Sequence, residues 1–244
     1  MSAAIVLFLP PIHQDTAYHR FADTRDVLGV PNGLNVLSNL PFALVGLLGI
    51  AKVERAGRPA SLNDLRERWP LLILFGGVFL TAFGSGYYHL APDSPRLFWD
   101  RLPMTLGFMS LFGVVLRERV SERVGAALLP VLIVVGVVSV LYWRYGDGDG
   151  HGDLRLYALV QFYPLLALPI ILLLFPPRFH GTRELGMCVV FYGLAKALEV
   201  LDARIFAALG GVVSGHSLKH LSAALATYYL VRMAGARTPV DAPR

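Results

Sequence analysis

Apolar residues in this chain gather into long runs separated by short polar intervals, with neither the period-2 alternation of a half-buried strand nor the one-sided stripe of a soluble helix. Seven windows are long enough to cross about 30 Å of hydrocarbon as helices, which takes roughly 20 residues each. They run from Leu34 to Val53, Pro70 to Leu90, Leu97 to Leu116, Val124 to Trp143, Leu156 to Phe175, Leu185 to Leu201 and Val212 to Val231. Charge, Gly or Pro bounds each window, and the intervals between them leave no room for a separate soluble domain. The pattern therefore predicts an all-α integral membrane protein, a seven-transmembrane helix bundle. It divides into an outer amino-terminal segment over 1–33, a transmembrane domain over 34–232 and a cytoplasmic tail over 233–244.

Composition agrees, since 55% of the 244 residues are hydrophobic and only 16% are charged, outside the usual range of soluble domains. The apolar run Ala3 to Leu9 has no basic region before it and no small-residue cleavage site after it, so it does not read as a signal peptide. A single cysteine, Cys188, excludes an intrachain disulfide and a cysteine-cluster metal site. The net charge of +5 forms no stripe and has no interleaved aromatics, which argues against a nucleic-acid partner. The basic residues instead divide by side. Lys52, Arg55, Arg58, Arg66, Arg68, Arg117, Arg119, Arg123, Arg178, Arg183, Arg232, Arg237 and Arg244 fall on one side, against Arg20, Arg25, Arg96, Arg101, Arg144, Arg155 and Arg204 on the other. The positive-inside rule then puts the amino terminus outside and the carboxyl terminus in the cytoplasm of a multi-pass protein.

Polar residues inside the windows can be ranked by depth. Ser85 and His89 share a helix face near the outer end of the second window, Asp100 lies one turn into the third, and His216 and His220 share a face in the first turns of the seventh. Five side chains from three helices thus fall at one level. Three imidazoles beside a carboxylate match a zinc site with three protein ligands and a fourth position open to water, which is the equipment of a hydrolase. Each piece has a simpler reading by itself: an intramembrane histidine bonding a neighbouring helix, a small serine at a helix contact, Asp100 paired with Arg101 near the headgroups. Together they point to function, because ionisable groups in spans are costly.

The pattern S-x3-H at the end of the second window, Asp100 eleven residues after His89 and H-x3-H opening the seventh resembles the alkaline ceramidase family, within the wider group of seven-span hydrolases and receptors that includes the adiponectin and progestin receptors. The stretch NVLSNLPFALVGLLG, Asn35 to Gly49, is similar to the first span of ceramidases. The resemblance, which covers nearly the whole chain and has the short loops of a bacterial member, implies that His89, His216 and His220 hold Zn²⁺. Asp100 would then orient and deprotonate a water, and Ser85 would face the metal through its oxygen or donate a hydrogen bond to the oxyanion. The implied activity is hydrolysis of the N-acyl bond of ceramide or a related membrane N-acyl lipid, giving a fatty acid and a sphingoid-type amine.

The calcium site of animal ceramidases carries over less directly. Asn32 stands where that family has a glutamate, and the remaining candidates, Asp23, Asp26 and Asn35, are offset and interleaved with Arg25, so an ion pair of Asp23 with Arg25 competes with a Ca²⁺ role. In the sixth window Lys196, Glu199 and Asp202 recur at spacings of three and can pair along one helix face, as structural groups or as supports for the site. Asp147, Asp149, His151 and Asp153 alternate like the start of a calcium loop but lack its distal glutamate, which leaves a Gly-rich turn. Two other functions stay open: a lipid-sensing receptor that keeps the zinc site, and a haem-binding membrane protein using His89 and His216 as axial ligands, which leaves His220, Asp100 and Ser85 without a task. A channel or transporter would place its polar groups near the midplane instead.

Overall fold

The computed structural model describes residues 8–55, 65–147 and 152–240. Arg58, Asp149, His151 and Arg244, with the start of the amino-terminal apolar run, lie outside the described residues, as do the side chains of Arg66 and Asp147. The described residues form helices and two isolated β-bridges but no strand. A single 3-10 turn, Thr16–His19, comes first. The helices are α1 (Gly33–Leu37), α2 (Leu40–Arg55), α3 (Leu65–Leu90), α4 (Ser94–Val115), α5 (Glu122–Asp147), α6 (Arg155–Leu174), α7 (Thr182–Val200), α8 (Asp202–Ala208) and α9 (Gly215–Ala236).

Every apolar window coincides with helix, and the differences in detail have local causes. The first window is split at Ser38 and Asn39, because Pro41 has no amide hydrogen to continue the ladder and sits in the first turn of a new helix instead. The last begins at Gly215 rather than at Val212, where Ser214 accepts from the Ser217 amide as its N-cap. The short helix α8 was not anticipated, and Leu116–Val120 continues α4 as a π-helical turn. By length and composition, four of the described helical segments are apolar enough to cross a membrane: Gly33–Arg55, Arg68–Leu90, Glu122–Gly146 and Arg155–Leu174. The helices α4, α7 and α9 reach 22, 19 and 22 residues, but they carry Asp100 and Arg101, Lys196 and Glu199, and His216, Lys219 and His220. Large apolar side chains face outward over the bundle, among them Leu44, Val134, Leu166, Ile170 and Leu173, a surface suited to lipid rather than water.

The bundle packs α3 between α2 and α4, α9 between α2 and α7, and α4 against α5 and α6. Its two ends differ. At one end meet the amino-terminal segment, the last turn of α3 and the first turns of α4 and α9. At the other meet the arginine-rich connections, and these are less exposed than their loop positions suggest. Arg117, Glu118 and Arg119 are buried, Arg237 pairs with Glu118 at 2.9 Å, and Arg119 donates to Thr182 Oγ1 at 2.6 Å. Those basic residues lock helices together, so their count is only partly a signal of sidedness.

Close helix contacts next to the polar end depend on glycine. A Cβ on Gly84 would stand 2.0 Å from the Trp99 carbonyl oxygen, so α3 and α4 touch backbone to backbone beside Ser85 and Asp100. Asp93 caps α4, accepting from the Arg96 amide at 2.7 Å, and Pro95 occupies the first turn. This fixes the distance from His89 to Asp100. Gly84→Ala is expected to cost about 1–3 kcal/mol as overpacking, seen as a lower thermal midpoint in detergent. Gly76→Ala, on the same helix with no atom within 4 Å of the added carbon, is expected to leave the midpoint unchanged or raise it.

Candidate metal centre

His89 ends α3, and His216 and His220 occupy the first two turns of α9. All three are buried. Their ring centroids are 4.9, 4.9 and 4.8 Å apart, an almost equilateral set, and one nitrogen from each lies within 4.8 Å of the others. Among the described residues this is the one group of three or more His, Cys, Asp or Glu side chains close enough to share a metal ion. His89 Nε2 and His216 Nε2 stand 3.3 Å apart. Two imidazole ligands about 2.05 Å from a tetrahedral metal are separated by about 3.3 Å, so this pair already spans one tetrahedral edge.

Hydrogen bonding supports the same assignment. Ser38 Oγ is 2.8 Å from His220 Nδ1 and donates to the Asn35 carbonyl at 3.2 Å. The tautomer that satisfies both contacts has Nδ1–H donating to Ser38, which leaves the lone pair of Nε2 for a ligand. His220 Nε2 and His89 Nδ1 are buried without a hydrogen-bond partner among the described residues. Buried polar atoms are seldom left so, and a cation shared by the three rings resolves the deficit at His220 while Ser38 fixes the ring. The donor set therefore fits a metal ion.

Other side chains hold the triad in place. Asp202 accepts from the His216 amide at 2.7 Å and from the Ala22 amide at 2.9 Å, satisfying the start of α9 and tying the amino-terminal segment to it. Both carboxylate oxygens of Asp202 are thus engaged by backbone amides rather than by Lys196 or Glu199, the neighbours its spacing also offers. Phe21 lies over His89 and His216 at 4.7 and 4.4 Å between centroids, covering the triad. Asn35 accepts from Ser217 Oγ at 2.9 Å and donates to the Asp23 carbonyl at 2.9 Å.

Ser85 and Asp100 are buried beside the triad, with the Ser85 hydroxyl in hydrogen-bonding reach of the Asp100 carboxylate. With His220 they line the polar end of a cavity that continues between α3, α4, α6, α7 and α9 past Val78, Phe108, Leu168 and Leu230. From Lys219 to Leu230 the cavity follows α9 for about 16 Å at 1.5 Å per residue. At its head Lys196 and Lys219 both pair with Glu199, the latter at 2.8 Å, and Lys219 Nζ is 3.2 Å from His216 Nε2.

The four calcium candidates have other partners. Asp23 is bonded to Arg25 at 2.7 and 2.8 Å, and that guanidinium holds its carboxyl below the usual carboxylate range. Arg25 also donates to the Val212 carbonyl at 2.8 Å, so the ion pair fastens the amino-terminal segment across the bundle. Asp26 accepts from the Gly29 amide and Asn32 donates to the His89 carbonyl at 2.9 Å. Of the alternating acidic loop, Asp153 is buried in a pair with Arg155 and accepts from the Ile12 amide at 3.4 Å rather than standing in a flexible turn. No protein-family model matches the chain, and no curated protein matches it.

Elemental analysis of the purified protein is expected to find about one transition-metal ion per chain, and His220→Ala to lose it. Ser38→Ala, which frees the His220 ring without removing a ligand, is expected to weaken metal binding by about 10- to 100-fold in a chelator competition.

Proposed function

We propose that this chain is a seven-span intramembrane zinc hydrolase, akin to the alkaline ceramidases, that cleaves the amide of an N-acyl lipid. The observation that carries this reading is one juxtaposition: three buried imidazoles, a carboxylate and a hydroxyl at the polar head of a long apolar cavity. Imidazole ligands with tetrahedral spacing favour zinc over magnesium or calcium. Zinc held there supplies a Lewis acid for the carbonyl and lowers the pKa of water toward neutrality. The same reading makes α4, α7 and α9 spans despite their polar residues, because those side chains face the cavity rather than lipid.

The chain's own residues do the rest. The acyl chain lies in the apolar cavity, which brings the amide carbonyl to the level of His220 and Asp100. Asp100 accepts a proton from the attacking water. Oxygen bonds to the carbonyl carbon, the carbon–nitrogen bond breaks, and Asp100 returns the proton to the leaving amine, giving a fatty acid and a free amine. Ser85 holds the carboxylate in its resting orientation and is a donor for the carbonyl oxygen as charge develops there. Phe21 excludes bulk water from the outer face of the triad.

Incubation with a panel of N-acyl lipids, with released fatty acid identified by mass spectrometry, is the direct test. Asp100→Asn is expected to retain metal while hydrolysis falls by ~10² to 10⁴-fold. Normal turnover by that variant would remove Asp100 as the base. Release of no fatty acid from any N-acyl lipid by metal-replete protein would overturn the hydrolase reading.

A further inference from the structure

The polar head of the cavity carries more positive charge than it neutralises. Arg101, Lys196 and Lys219 line it, against Asp100 and Glu199, three cations to two carboxylates. Both oxygens of Glu199 are already taken by the two lysines.

Arg101 is the informative member. It is 5% exposed and forms no ion pair among the described residues. Its guanidinium is caged by Trp143, Tyr157 and Tyr18 at 4.4, 4.7 and 5.5 Å from the ring centroids, and Nη2 donates to Gln14 Oε1 at 2.8 Å. The rings attract the charge through its flat faces, which explains how the group tolerates burial. They do not accept its in-plane N–H bonds. Nη1 is buried with no acceptor among the described residues, an orphan donor on a charged fork shaped for a carboxylate or phosphate. Across the cavity head, Lys219 stands 3.2 Å from a triad nitrogen, so an anion close to the reacting amide meets it too.

We propose that the cavity head is an anion subsite, in which Arg101, Lys196 and Lys219 take a carboxylate or phosphate carried within a few bonds of the amide nitrogen on the amine half of the substrate. The substrate class is then an acidic N-acyl lipid, such as an N-acyl amino acid or an N-acyl phosphoethanolamine, rather than a neutral ceramide. This rests on the amide-hydrolase reading for where the amide sits, but the binding preference can be measured without turnover.

The probes are three uncleavable ketone isosteres with one palmitoyl chain, in which CH₂ replaces the amide N–H: those of palmitoylglycine, palmitoyl phosphoethanolamine and neutral palmitoylethanolamine. Calorimetry on the purified protein in detergent is expected to give at least about tenfold tighter binding for a charged isostere than for the neutral one, and the tighter of the two names the anion. Arg101→Gln is expected to remove most of that preference and leave the neutral isostere within about twofold. Lys196→Gln, at a half-buried position where folding is at less risk, is expected to reduce it in the same direction. Equal binding of all three, or a loss in the variants that is the same for all three, overturns the subsite. A charge preference in a protein that cleaves no amide leaves the subsite standing and the hydrolase reading fallen. Cleavage of neutral amides with no preference does the reverse.

Discussion

An imidazole in an apolar bundle must have its ring nitrogens answered, and much of the polar end of this molecule follows from doing so for three rings at once. Burial withdraws them from bulk water, so each unpaired nitrogen costs on the order of 1–3 kcal/mol. Ser38 answers one nitrogen of His220, and a shared cation is the economical answer for the nitrogens that face each other. The requirement propagates outward. Asp202 steadies the turn that carries His216, Asn35 reaches across to Ser217, and Phe21 closes the remaining side.

The same constraint explains why the charged groups sit in company. Glu199 is bracketed by two lysines, Asp23 by Arg25 and Asp153 by Arg155, each acid matched by a base at contact distance. Arg101 differs in having aromatic faces instead of an acid. At the opposite end, Glu118 and Arg237 form a buried pair that closes the bundle where lipid headgroups or solvent would otherwise reach the helix ends.

What could be read along the chain was whatever helical geometry alone decides. His216 and His220 share a face because they are four apart, Lys196 and Glu199 pair because they are three apart, and the tight Pro-bearing link after His89 sets the level of Asp100. Contacts made across space by irregular backbone were not legible. Nothing in the sequence places Phe21 over the histidines, aims both Asp202 oxygens at two distant amides, or lays Lys219 against Glu199 from another helix. Ser38 left a trace, in polar residues at positions 35, 38 and 39 of an otherwise apolar run, but its partner 182 residues away did not. The same distance hid the Arg101 cage, whose rings come from the amino-terminal segment, α5 and α6.

The contact of His89 with His216 joins positions 127 residues apart, and that of Ser38 with His220 joins positions 182 apart. Ser38, in the link between α1 and α2, thus supports a histidine that α9 contributes. Until α9 is in place the early helices have one imidazole and no partner for it, so the centre cannot form piecemeal during synthesis. A metal ion shared by the three rings would fasten α3 to α9, and its capture would report that these two distant helices have packed together.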